Sequence, residues 1–198
     1  KFNFKPFYAN IEGDLNEIDL NYLFGSNAII VQLLKTEIFN NKNLDFKLSL
    51  NAETIYKNAN FRNISLKSKI QEGLIDTDRT KFEWRNFVDF ELKDSLIFVR
   101  SGELVLDGRL KINIHDYNEV YKYLLTPKKY RKDIKKIDLN FTYNFDQKLA
   151  ELRDIKIDNK INQNVNKILN NVILKKDDLR NKIYFKNLLN EAIKNYAG

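Results

Sequence analysis

The sequence predicts a β-rich α+β fold: a curved, trough-like antiparallel meander sheet with flanking amphipathic helices, two of them at the C-terminus. Three observations predict it. Apolar residues recur at every second position through the middle of the chain, as in Leu44, Phe46, Leu48 and Leu50, or Leu110, Ile112 and Ile114. Successive side chains of a strand point to opposite faces, so this period marks ribbon with one apolar side. Helical spacing replaces it towards both ends of the chain. Most gaps between the alternating stretches are too short for a crossover, which leaves little room for parallel βαβ winding.

The lead-in covers 1–43. Phe2 and Phe4 alternate with lysine in a strand that ends near Pro6. Over 14–24, Leu15, Ile18 and Tyr22 sit at helical spacing before Gly25. Ser26 is placed to cap a second helix over 27–38, with Ile29, Ile30, Leu33, Leu34 and Ile38 on one side. The NNKN at 40–43 ends it.

The sheet is expected over 44–158. Leu44 to Leu50 form its first strand, and Ile64, Leu66 and Ile70 mark a second. Glu72-Gly73 makes a turn, followed by short strands at 74–75 and 82–84. The stretch 87–114 carries Leu96, Phe98, Leu104, Leu106, Leu110, Ile112 and Ile114 at even positions, with Ser101-Gly102 as a hairpin turn. Asp107-Gly108 reads either as another hairpin or as a bend in one strand. The unchanged apolar phase on both sides favours the bend. Helical spacing then interrupts the sheet over 116–126, where Tyr117, Val120, Tyr121, Leu124 and Leu125 follow Asp116 as N-cap, and Thr126-Pro127 stops the helix. Ile137 to Phe145 alternate again, Asp146-Gln147 turns the chain, and 149–157 closes the sheet. Two helices are expected in 159–198, one carrying Ile161, Val165, Ile168, Leu169 and Val172, the other Phe185, Leu188, Leu189, Ala192, Ile193 and Tyr196. No sharp domain boundary separates these parts.

Composition narrows the function classes. A chain of 198 residues with 43% hydrophobic content can bury a core, so the 31% charged content does not make it disordered. Net charge of +7 favours anionic partners, or reflects lysine as the main solvating residue. Without cysteine there is no disulfide and no thiolate chemistry. No run approaches the roughly 20 apolar residues of a membrane span. With no methionine and a start in mid-pattern, the chain is expected to be part of a longer protein, whose anchor or export signal would lie upstream.

Catalytic and metal signatures are scarce. The single histidine, His115, stands beside Asp116 and could act as a general base only with a nucleophile or metal partner. A lone histidine at a strand end is ordinarily a capping or surface residue. There is no second histidine and no EF-hand spacing, so neither metal nor other cofactor is expected. GxGxxG, P-loop, GxSxG and HExxH patterns are absent. Asp76 and Asp78 form a close carboxylate pair on a turn, and Trp84 fits a core position better than a stacking platform. The main polar feature is KKYRKDIKK at 128–136, with Lys128, Lys129, Arg131, Lys132, Lys135 and Lys136. It suits a phosphate-bearing partner or a solvated loop. Nucleic acid is not expected, because no RRM-like aromatic signature or recognition-helix pattern accompanies it.

One stretch supports a family resemblance. The block VLDGRLKINIHDYNEVYKYLLTPKKYRKDIKKIDLNFTYNFDQKLAELRDIKID, residues 105–158, resembles the C-terminal part of AsmA-like proteins. LDFKLSLNAETI at 44–55 fits the same pattern, and 160–198 resembles the family's closing helical region. That family is related to TamB and the bridge-like lipid transfer proteins. The resemblance implies a non-enzymatic, periplasmic protein with an inner-membrane anchor absent from this chain. It also implies a role in outer-membrane lipid homeostasis and assembly, with phospholipid acyl chains held on a concave apolar sheet face. Alternation assigns to that face Leu44, Phe46, Leu48, Leu50, Ile64, Leu66, Phe82, Trp84, Phe98, Leu104, Leu106, Leu110, Ile112 and Ile114, each of which would equally suit a closed core. The basic segment would then meet lipid headgroups. The alternative is a closed β-rich interaction domain that binds an anionic protein or nucleic acid through the same segment.

Overall fold

Alternation over the middle of the chain becomes a single hydrogen-bonded sheet with helices on one face. A computed structural model describes residues 2–4, 7–25, 28–36, 41, 43–71, 74–170, 172–175, 177–178 and 181–198. The expected cap Ser26, Ile38, the Glu72-Gly73 turn and parts of 40–43 and 179–180 lie outside these residues.

The strands in chain order are β1 (Phe2–Phe4), β2 (Phe7–Ile18), β3 (Leu44–Ile55), β4 (Asn58–Gln71), β5 (Leu74–Asp76), β6 (Lys81–Trp84), β7 (Val88–Arg100) and β8 (Glu103–Ile114). After the helix α3 (Tyr117–Leu124) come β9 (Lys136–Asn144), β10 (Leu149–Ile157), β11 (Lys160–Ile161) and β12 (Ile173–Lys175). All belong to one sheet. Its order follows the chain, with β5 and β6 filling successive parts of the gap between β4 and β7, and β11 and β12 both pairing with β10. The remaining helices are α1 (Leu20–Phe24), α2 (Ile29–Lys35), α4 (Gln163–Leu169) and α5 (Lys182–Ala197).

The meander is antiparallel except at one place. β2 and β3 pair in parallel from Phe7↔Leu44 to Ile18↔Ile55, with α1 and α2 as the crossover. This corrects two expectations. Parallel winding does occur, and residues 14–18 extend a strand where Leu15, Ile18 and Tyr22 suggested a helix. The signal was available in the alternation of Ile11, Gly13 and Leu15 with Glu12, Asp14 and Asn16. Pairing with β3 supplies the backbone partners that a short, polar helix would lack. Only after Asp19, which caps α1 by accepting from the Asn21 N–H, does the chain become helical.

Ser101 and Gly102 both take positive φ, 54° and 81°, as a two-residue turn matched to strand twist requires. β8 runs unbroken through Gly108, so no second hairpin forms there. The irregularity lies opposite it, in β7, where the register shifts between Lys93 and Leu96. Further shifts occur between β3 and β4, between β4 and β6, and between β9 and β10. Such bulges bend strands and raise their twist, which curls a long sheet.

Directly paired residues share a face, and one row crosses eight strands: Ala9, Phe46, Ile70, Ile75, Ile97, Leu106, Tyr143 and Ala150. All packing of the described helices uses this face. α2 places Val31 and Leu34 against Ile70, Ile75, Ile97 and Leu104. At the other end, Tyr121 of α3, Val165 and Leu169 of α4, and Leu188 and Ala192 of α5 enclose Leu139, Ile155 and Ile157. Each fully buried aliphatic side chain there stabilises the fold by roughly 1.5–3 kcal/mol. Two asparagines fix the C-terminal helices. Asn166 exchanges two 2.8 Å hydrogen bonds with the Ile155 backbone beside the β10 bulge. Asn190 accepts from Thr126 Oγ1 and donates to the Leu124 carbonyl.

Candidate ligand cavity

Between α1–α2 and the middle of the sheet lies a cavity of about 1420 Å³. Its floor is sheet: Phe46, Phe61, Ile64, Leu66, Phe82, Ile97, Leu106 and Tyr143. Its roof is Leu20, Tyr22, Leu23, Phe24, Ile29, Ile30 and Leu33. Tyr22 and Ile29 line it while remaining 80% and 76% exposed, so the space opens to solvent along the helices.

The roof is tied down at its far end. Lys35, the last residue of α2, forms an ion pair with Asp146 in the β9–β10 turn. The second oxygen of Asp146 accepts from the Leu104 N–H at 2.7 Å. The Lys35 ammonium and this N–H hold the Asp146 carboxyl below its ordinary range, against an opposing contribution from burial. Phe24 adds a tilted ring contact to Phe145, with centroids 5.9 Å apart.

Polar groups on the lining are few. The Thr77 hydroxyl donates to Ser95 Oγ, and the Thr80 hydroxyl donates to the Lys67 carbonyl. Both are therefore satisfied within the wall. No carboxylate and no histidine is among the described residues lining the space. Lys148 alone brings a charge to it.

The predicted apolar row is divided by the helices rather than left as one open trough. Leu44, Phe46, Ile64, Leu66, Phe82 and Leu106 line the cavity. Leu104 is fully covered beneath α2, and Leu48 and Leu50 pack beside Ile18 and Ala52. Leu110, Ile112 and Ile114 belong to the C-terminal core. Trp84 is packed edge-on to Tyr123 at 4.7 Å and is not on the lining. Phe98 faces the opposite side of the sheet: it pairs with Val105, whereas its neighbour Ile97 pairs with Leu106. The β7 bulge inverts the phase there, so Ile97 is the inward residue.

The helical roof and Ile97 were not among the predicted groove residues. The roof had a signal in the apolar stripe of the second helix. Ile97 had none, because Leu96, Ile97, Phe98 and Val99 form a run without periodicity.

The polar candidates separate. None of the six basic residues at 128–136 lines the cavity. Lys128, Lys129, Lys132 and Lys135 are exposed, while Arg131 donates to the Thr126 carbonyl and Lys136 pairs with Asp138. The segment is strapped to the core by buried Ile134 and by Tyr121, whose hydroxyl donates to the Lys132 carbonyl at 2.6 Å. Burial pushes the Tyr121 hydroxyl up to about 12. His115 does not pair with Asp116. Its Nε2 meets Asp89 on β7 at 2.6 Å, and Asp116 caps α3 by accepting from the Glu119 N–H. Asp76 and Asp78 serve the backbone: Asp76 accepts from the Asp78 N–H, and Asp78 accepts from the Ser95 N–H in the bulge. No group of three or more metal-ligating side chains occurs among the described residues, and none of the described helices is long and apolar enough to cross a membrane.

Comparison with known proteins returns no matching family model, curated protein or solved structure.

Proposed function

We propose that this chain is a non-enzymatic lipid-binding module that holds phospholipid or other acyl chains in the cavity beneath α1 and α2. The observation that carries this reading is the cavity itself. At about 1420 Å³ it exceeds the roughly 300–1,000 Å³ of typical small-molecule pockets. Its wall is mainly hydrocarbon and aromatic surface, and the Thr77 and Thr80 hydroxyls on it already donate within the protein. An acyl chain needs only that surface, gaining roughly 0.8 kcal/mol for each methylene removed from water.

The resemblance to AsmA-like proteins extends the proposal. In that setting the module works in the periplasm, joined to the inner membrane by a segment outside this chain, and takes part in outer-membrane lipid homeostasis. Division of the apolar row by the helices favours holding a lipid at one place over passing it along the whole sheet.

The test is native mass spectrometry of the purified chain, followed by organic extraction of whatever is bound. Adducts with lipid masses that disappear on extraction are expected. Protein that remains free of lipid, even after incubation with vesicles of the expression host's lipids, overturns the reading.

A further inference from the structure

Among the described residues lining the cavity only Lys148, at one rim, carries a charge, and no hydrogen bond or ion pair engages it there. Lys148 ends the β9–β10 turn, is exposed, and contributes to the cavity wall. Every other polar side chain of that turn is engaged. Asn144 accepts from the backbone N–H groups of Asp146 and Gln147, Gln147 donates to Glu103, and Asp146 is held by Lys35 and the Leu104 N–H. The Lys148 ammonium has no hydrogen bond or ion pair among the described residues. Lys35 is taken up by Asp146, and the Glu103 carboxylate that accepts from Asn144 and Gln147 is not on the lining, so Lys148 is the one charged side chain beside this large apolar space among the described residues.

From this we infer that the ligand is an amphiphile with an anionic head, a carboxylate or a phosphate, which pairs with Lys148 while its hydrocarbon lies under α1 and α2. The inference rests on the lipid-binding reading and narrows it to acidic head chemistry. Charge pairing beside an apolar wall is somewhat stronger than between two groups in open water. An ammonium on a flexible four-carbon stem also adapts to either kind of head.

Binding of a spin-labelled stearate and of its methyl ester, which differ only in head charge, separates the two ideas. The acid is expected to bind the wild-type chain about three- to ten-fold more tightly than the ester. Lys148→Gln should remove that preference without weakening the ester, and Lys148→Glu should reverse it. Lys156→Gln, an exposed charge change on β10, serves as the control and should leave the preference intact. Competition by unlabelled stearate and by lysophosphatidate then assigns the head as carboxylate or phosphate, either order being consistent with the proposal. Equal binding of acid and ester to wild type and Lys148→Gln overturns the inference while leaving lipid binding in place. Failure of both probes to bind removes the lipid-binding reading as well.

Discussion

Gly108 lies so close beneath Ser95 that a β-carbon at Gly108 would stand 2.6 Å from the Ser95 β-carbon and 2.8 Å from its α-carbon. Neither atom belongs to a flexible side-chain end, so the bulge itself would have to move. Ser95 is further held by Asp78, which accepts from its N–H at 2.7 Å and from its hydroxyl at 3.1 Å. Gly108→Ala should therefore cost about 1–3 kcal/mol, despite the usual gain from replacing a strand glycine. Urea unfolding measures it. An alanine variant as stable as wild type would show that the two strands are not in this close contact.

The same bulge decides which side of β7 faces the helices. Leu96 is 38% exposed and Ile97 is 2% exposed. Leu96→Lys should stay within about 0.5 kcal/mol of wild type, as a surface change does. Ile97→Lys would place a charge against Ile70, Ile75 and Leu104 and should cost several kcal/mol or prevent folding. Thermal melts of the two variants in parallel give the answer. The reverse order of stability would place Leu96 and Phe98 inside.

That inversion explains how far the residues alone could lead. Period two located the long strands, because Leu44 to Leu50 and Leu110 to Ile114 each have one apolar face in the structure. Asp116 and Thr126-Pro127 bounded α3 because capping and proline act locally. Phase across a bulge is not local: it depends on Asp94 adopting φ 47° and on Asp78 capping the freed N–H from a loop 17 residues away. The parallel β2–β3 pair escaped for a related reason: the alternation over 11–16 marks a strand but does not name β3 as its partner, and Leu15, Ile18 and Tyr22 fit helical spacing as well. Cavity and roof were hidden most deeply. An apolar helical stripe signals burial but does not say whether it seals its sheet or spans a gap.

Closure of the roof should depend on pH through Asp146. Its carboxyl is held below the ordinary aspartate value of about 3.9 by Lys35 and by the Leu104 N–H. A depressed carboxyl contributes stability that is present above the unfolded-state value and is lost as pH falls through the folded-state value. The pair is partly exposed, so about 1 kcal/mol is expected. Asp146→Asn should thus melt lower than wild type at neutral pH, with the gap closing as pH falls below about 4. Melting curves of both proteins across that range test this. A gap that stays constant with pH would mean that the charge of Asp146 does not stabilise the fold.

Filling the cavity from its roof separates lipid binding from the integrity of the fold. Ile30 sits on α2, is half-buried and lines the space, so a larger ring at that position can enter room already present. Overpacking penalties arise where no such room exists. Ile30→Trp should keep its stability within about 1 kcal/mol of wild type while its bound lipid falls severalfold. Leu96→Lys, a change on the other face of the sheet, should retain its full complement. Lipid-to-protein ratios from native mass spectra, set beside melting temperatures, test the pair. Undiminished lipid in Ile30→Trp would move the binding surface away from the space beneath α2.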